Sequence, residues 1–233
     1  MFGSPAVLFV AAAFHLWNGL VYRRLVVDYV EACRDATGSG ALPSTAIADA
    51  VLAPLCIGLA FGLILFLPLL TMRTLAEERR SGFEDLLLSL PVTPASVILG
   101  KFFAMLVLVV VLAWPPLLVA LGLWGAGSLD PGVLASAGLG LLLAGAAYAA
   151  VGLCASALTS QPVAAGVGSL TVLLLLFFAD GFWTPAGVVS LRQAFDPFAR
   201  GVIGLEAIGV HVLAASLFLF LAIAASELRR RRQ

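Results

Sequence analysis

Charge is scarce in this sequence, and its absence comes in blocks. Of 233 residues, 11% are Asp, Glu, Lys or Arg and 62% are hydrophobic. That balance cannot fold around one aqueous core without leaving apolar surface in water, so the chain reads as an integral membrane protein. The formal net charge is zero, which argues against a nucleic-acid partner, because phosphate binding needs a basic excess on one face. The only basic run, Arg229 to Arg232, reads as a membrane-surface anchor. Cysteine is sparse and odd in number: Cys33, Cys56 and Cys154 match neither a disulfide framework nor a metal knuckle, and they read as packing residues. Two histidines and three methionines without clustering speak against a metal conduit.

What the chain has instead is six uncharged stretches, Pro5–Tyr22, Ala50–Met72, Phe102–Trp124, Val133–Ala157, Val163–Ala179 and Ala207–Ser226. About 20 residues at ~1.5 Å rise cover the hydrocarbon thickness, and one charge at mid-bilayer costs ~2.5 kcal/mol or more on insertion scales. Backbone polar groups in lipid need internal partners, so these stretches are expected to be helices; they are too long for barrel strands. Pro54, Pro68, Pro115 and Pro116 are expected to kink the second and third. The first stretch lacks the basic n-region and cleavage site of a signal peptide. No acidic residue lies in any span, and neither histidine has a nucleophile arranged beside it, so nothing favours an intramembrane hydrolase. His211 reads as structural. With no linker, low-complexity tract or repeat, residues 1–233 read as one domain.

Orientation follows from the basic residues. Six helices place Arg73, Arg79, Arg80, Lys101 and Arg229 to Arg232 on one face, and Arg23, Arg24, Arg34, Arg192 and Arg200 on the other. The larger group marks the cytoplasmic side, with both termini inside. Residues 23–49 and 180–206 are then outer loops, and the second, which mixes Phe195 and Phe198 with Asp180, Arg192 and Asp196, is expected to form short re-entrant or interfacial helices.

One segment concentrates charge. Between Arg73 and Pro94 the chain reads Thr-Leu-Ala-Glu-Glu-Arg-Arg-Ser-Gly-Phe-Glu-Asp-Leu-Leu-Leu-Ser-Leu-Pro-Val-Thr. Arg73 and Glu77 stand four apart, so they pair on one helix face. Ser81-Gly82-Phe83-Glu84 has the form of a capping box. Phe83, Leu86, Leu87 and Leu90 then fall on one apolar stripe with Glu84, Asp85 and Ser89 elsewhere. Pro91 ends that helix, and Thr93-Pro94 starts the next. Pattern alone leaves two readings open: an interfacial helix bedded in lipid headgroups, or a helix docking on a protein.

The same run, with Leu99-Gly100-Lys101-Phe102, Gly152 to Gln161 and Phe198-Ala-Arg-Gly-Val-Ile-Gly204, resembles the permease subunits of ABC-2 type ATP-binding-cassette transporters. It is most similar to the gliding-motility-associated branch and more distantly to nitrous-oxide-reductase maturation permeases. The resemblance covers nearly the whole chain. It implies an all-α membrane protein of six transmembrane helices that dimerises with a second copy or a paralogous permease in a bacterial cytoplasmic (inner) membrane. The elbow between the second and third helices would be a cytoplasmic coupling helix seated on a separate ABC ATPase subunit. Carried onto this chain, the ATPase-coupling residues are Glu77, Glu78, Arg79, Arg80, Phe83, Glu84, Leu86, Leu87 and Leu90. No G-x-x-x-x-G-K-[ST] run is present, so ATP binding belongs to the partner and no cofactor is expected here. Members usually begin with an arginine-rich amphipathic helix, whereas this chain opens at Met1-Phe2-Gly3-Ser4-Pro5; the start is shortened or that helix is absent.

Two polar residues inside the first stretch, His15 and Asn18, share one helix face. They either hydrogen-bond to a neighbouring helix or line a substrate path. Gly58-x-x-x-Gly62 and the row Gly140, Ala144, Tyr148, Gly152, Ser156 suit close helix packing. The leading expectation is ATP-driven passage of a substrate across the membrane; a non-transporting scaffold that docks a cytosolic partner, and an ATP-independent channel or carrier, are the alternatives.

Overall fold

The structure, a computed structural model, describes residues 5–38, 47–76, 93–122, 130–182 and 190–230. Every regular element among them is helical. α1 spans Pro5–Gly38; a π-helical turn, Ala48–Leu52, leads into α2, Ala53–Thr71; α3 spans Pro94–Ala120, α4 Pro131–Leu158 and α5 Pro162–Phe177. The short α6, Ala179–Phe182, and α7, Leu191–Ala199, precede α8, Leu205–Arg230. Among the described residues four stretches are long and apolar enough to cross a membrane: Asp49–Thr71, α3, α4 and α8. α5 is apolar but shorter, at 16 residues.

Local chemistry sets the helix starts. Thr93 Oγ1 accepts from Ser96 N at 3.3 Å and Asp130 Oδ1 from Gly132 N at 2.8 Å, each just ahead of a proline in the first turn. The Thr93-Pro94 restart read from the sequence is therefore present. Pro68 stands inside α2, and Pro115 and Pro116 inside α3, whereas Pro54 sits in the first turn of α2, directly after the π-helical turn.

α1 corrects the expected outer loop at 23–49. The helix does not stop at Tyr22 but continues through Arg23 and Arg24 to Gly38. The reason is physical: hydropathy marks where lipid ends, not where a helix ends, and neither Gly nor Pro interrupts residues 20–37. Leu25, Val26 and Tyr29 of this extension pack on the core. The exposed Arg24–Asp28 pair, 3.9 Å apart, adds little.

α4 is the central helix, packed against α2, α3, α5, α7 and α8. Lipid gives helices no hydrophobic drive to associate, so close approach over small residues does the holding. A Cβ on Gly140 would lie under 3.0 Å from Phe198 of α7, one on Gly145 from Val109 of α3, and one on Gly152 from Thr71 of α2. Gly140 and Gly152 belong to the expected small-residue row, which thus meets α7 and α2, whereas Gly145, which meets α3, lies outside that row. α1 meets α2 across Gly62, which faces Phe14 and Asn18, and Gly58, which faces Val21. These contacts make α2, α4 and α8 run one way and α1, α3 and α5 the other. The short helices expected before α8 are present, and the apolar side of α7, with Leu191, Phe195 and Phe198, is buried against α4 and α2.

Adding a methyl group at Gly140, Gly145 or Gly152 should lower stability by about 1–3 kcal/mol through overpacking. Gly168→Ala, where a Cβ meets nothing within 4 Å, should be neutral or slightly stabilising. Melting curves of the four alanine variants in detergent check this ordering.

Candidate functional site at the ends of the charged segment

The coupling residues Glu77, Glu78, Arg79, Arg80, Phe83, Glu84, Leu86, Leu87 and Leu90 lie outside the described residues, as does the Ser81 capping box. Both ends of their segment are described, and both are tied into the helix bundle.

At the leading end, α2 finishes with Met72 N donating to Pro68 O at 2.9 Å, and the chain then turns so that Thr74 N reaches Thr71 O at 3.0 Å. Thr74 Oγ1 donates to the same carbonyl at 2.7 Å. The next two backbone N–H groups, of Leu75 and Ala76, both donate to Ser156 Oγ, at 3.0 Å each. Ser156 stands in the last turn of α4 and, like Thr71 and Ala76, is fully buried. One hydroxyl thus holds two successive amides that α2 leaves over as it ends. From α3, Lys101 Nζ donates to Thr74 O at 2.6 Å. The ammonium is well suited to a carbonyl at the end of α2, where the helix dipole is negative.

At the trailing end the chain re-forms a helix at Thr93, and Lys101, about two turns into α3, brings that helix back to Thr74. Three helices therefore converge where the segment leaves and returns. Nearby, Arg229 of α8, one arginine of the basic tail, donates to Leu158 O at 2.9 Å and caps α4. Among the described residues the joint contains no arranged nucleophile, base or acid pair. Its chemistry is attachment: residues 74–76 are bonded to α3 and α4 at once.

Sequence reasoning placed Ser156 in the packing row and used Lys101 for orientation and for the family resemblance. The signal for their contact was the spacing: Gly152 and Ser156 lie four apart on the face that meets α2.

His15 and Asn18 lie elsewhere on α1, with Asn18 against Gly62 of α2 and both beside α3. With Gly19, Tyr22, Pro115, Pro116 and Val119 they line a hollow of about 200 Å³. Asn18 Nδ2 donates to Phe14 O of its own helix at 2.8 Å, and His15 packs edge-on to Phe14. Among the described residues neither bonds to another helix, and the structure does not bring them near the joint.

At the opposite end of the bundle, Asp180 accepts from Arg192 at 2.9 Å and lies 3.0 Å from Ser190 Oγ, whose hydroxyl also caps α7. The Arg192 hydrogen bond, helped by Ser190, holds the Asp180 carboxyl below its ordinary 3.8 against a smaller effect of burial. Its folded pKa is depressed, so the pair's contribution is present above that ordinary value and fades as pH falls through the lowered one. Among the described residues no three His, Cys, Asp or Glu gather as a metal group.

A family model described as ABC-2 family transporter protein matches residues 39–225. The match takes in the joint and the whole charged segment but not α1. No curated protein matches the chain.

Ser156→Ala removes the acceptor from two buried amides, at about 1–3 kcal/mol. Hydrogen exchange at Leu75 and Ala76 should accelerate at least about fivefold, with the middle of α4 unchanged. Mass-spectrometric exchange on the detergent-solubilised chain reads this directly.

Proposed function

This chain belongs to the ABC-2 family of transporter membrane proteins, and we propose that it is the permease subunit which receives movement from a separate ABC ATPase through residues 77–94. As a family member it is a multi-pass membrane component of transport rather than a catalyst. The observation that carries the finer reading is the joint. A segment that docks on an ATPase is useful only if its ends are fixed to the helices it must move, and Ser156 and Lys101 make those attachments to Leu75, Ala76 and Thr74.

In this reading the helix Phe83 to Leu90 seats its apolar stripe in a groove of the ATPase. Glu77, Glu78, Arg79, Arg80 and Glu84 form its charged surround. The first 18 residues of α1 and the shorter α5 complete six spans with the four long apolar stretches, and both termini face the cytoplasm of a bacterial inner membrane. A second copy or a paralogous permease completes the translocation unit. The branch is that of the gliding-motility-associated permeases, and the direction is export. An amphipathic cargo is favoured by walls that offer mainly Leu, Val, Ala and Gly.

Each leucine or phenylalanine of the stripe is worth about 1.5–3 kcal/mol if removed fully from water, and a charge placed there is buried without a partner. Leu87→Glu and Leu87→Trp should therefore both abolish co-purification with the ATPase subunit, while the permease stays folded in detergent. Loss in Leu87→Glu alone would mean that the stripe beds in lipid, which welcomes tryptophan; coupling retained in both would remove this helix from the mechanism. For orientation, a cysteine at the exposed Gln193 should react with an impermeant maleimide in intact cells, and one at Ser81 should not. Labelling at Ser81 would invert the topology.

A further inference from the structure

At the end of the bundle away from the joint, a hollow of about 320 Å³ opens between α2 and α7, lined by Ile57, Arg192, Gln193, Asp196 and Arg200. The pattern of α7 explains its polarity. Leu191, Ala194, Phe195, Phe198 and Ala199 are buried, which leaves Arg192, Gln193, Asp196 and the C-capping Arg200 on the outward side. Ile57 stands eight residues after Asp49 in a stretch apolar enough to cross a membrane. The charged side of α7 therefore meets the wall of that span about 12 Å along it.

Both guanidinium groups are held in place, and both keep donors to spare. Arg192 Nη2 donates to Asp180 at 2.9 Å, and Arg200 meets Asp196 through Nε at 3.0 Å and Nη2 at 3.4 Å. Those contacts occupy only part of each fork of N–H groups. The side-chain amide of Gln193 forms no hydrogen bond among the described residues. With their side chains 50% and 62% exposed, Arg192 and Arg200 are reachable from outside. The lining carries two positive charges and one negative, and Asp180 behind Arg192 brings the group to neutrality. Such a cluster has little pull on a free anion in salt water. It suits a singly charged anion that its own apolar anchor delivers to the membrane surface. The chain marks that surface: directly after Arg200, Val202, Ile203 and Leu205 are 58%, 58% and 87% exposed. Apolar side chains at acyl depth beside cationic heads at phosphate depth is how a segment sits in the interface.

We propose that this hollow binds the phosphodiester headgroup of a membrane phospholipid, with Arg192, Gln193 and Arg200 donating to its oxygens and the acyl chains lying beside Val202, Ile203 and Leu205. Arginine suits the task because its planar fork matches phosphate oxygens, and Asp180 and Asp196 hold the two forks ready at little cost in side-chain freedom. The site needs no ATPase, so its failure would leave the coupling reading untouched.

The test uses the full chain alone, delipidated in dodecyl maltoside, with native mass spectrometry counting adducts per chain. The probes are dioleoylphosphatidylglycerol, dioleoylglycerol with the same tails and no phosphate, and glycerophosphoglycerol with the same head and no tails. The phospholipid should form a single adduct at about tenfold lower concentration than dioleoylglycerol, the ratio that one net charge-assisted hydrogen bond supplies. Glycerophosphoglycerol should form none in that range. Arg192→Gln with Asp180→Asn, and Arg200→Gln with Asp196→Asn, each remove a guanidinium without changing net charge or stranding a carboxylate. Each should bring the phospholipid to the level of dioleoylglycerol. Arg24→Gln with Asp28→Asn, the same exchange at the exposed pair on α1, should change nothing. The Arg200 variant keeps the test decisive if the Arg192 variant does not fold, since its pair is exposed on both sides. Equal binding of the two lipids, a phospholipid preference that survives in a folded α7 variant, or an equal loss in the α1 variant overturns the proposal. Binding of glycerophosphoglycerol at the phospholipid's concentration overturns it too, because the ligand would then be a soluble phosphodiester.

Discussion

How closely other helices can approach α4 is the constraint on which the rest of this structure depends. In lipid the helices gain nothing by hiding apolar surface from one another, so the fold rests on van der Waals contact and the few polar bonds that can be made dry. α4 supplies the contact by omitting side chains where neighbours arrive: Gly140 receives Phe198, Gly145 receives Val109 and Gly152 receives Thr71. The third contact has a consequence one turn further on. With Thr71 seated on Gly152, the amides of Leu75 and Ala76 arrive at Ser156 on the same face. A packing contact thereby fixes the height of a polar one, and through it the point at which the charged segment leaves the bundle.

Buried polar groups in the bundle divide into two kinds. The buried Ser156 holds backbone groups that a helix end would otherwise leave unpaired, helped by the half-buried Lys101, and its burial is compensated. Asn18 Oδ1, Ser136 Oγ, Tyr148 OH and His211 Nε2 are buried with no partner. Two of these, Ser136 and Tyr148, stand on α4, and His211 stands on α8, which packs along it. His211 still bonds through its other ring nitrogen to Ala207 O at 2.8 Å and rests edge-on against Phe198, the residue that Gly140 admits. It is a packed structural histidine, as its isolation in the sequence implied.

The legible part of the fold was the part governed by composition and by short-range rules. The cores of α2, α3, α4 and α8 follow from uncharged length, and the start of α3 follows from Thr93-Pro94. The extension of α1 to Gly38 was not legible, since Arg23-Arg24 marks the edge of lipid and carries no instruction to stop a helix. Of the candidate site, the charged segment could be read directly as a feature of the sequence, while the apolar stripe expected on it lies outside the described residues. The joint could not, because Ser156 meets Leu75 across about 80 residues of sequence and looks, by pattern, like one more small residue in a packing row.

The sequence by itself determined that this is a helical membrane protein with one concentrated charged segment, because desolvation of charge and of unpaired backbone leaves no other arrangement for such long apolar stretches. Tertiary structure alone decided which polar groups find one another. Periodicity places Asn18 and Ser156 equally well on a helix face, but only the positions of α2 and α3 give Ser156 two amides to hold and leave Asn18 Oδ1 facing none. The physical reason is that a hydrogen bond is won or lost within a few tenths of an ångström, whereas apolar pattern fixes only the side of a helix.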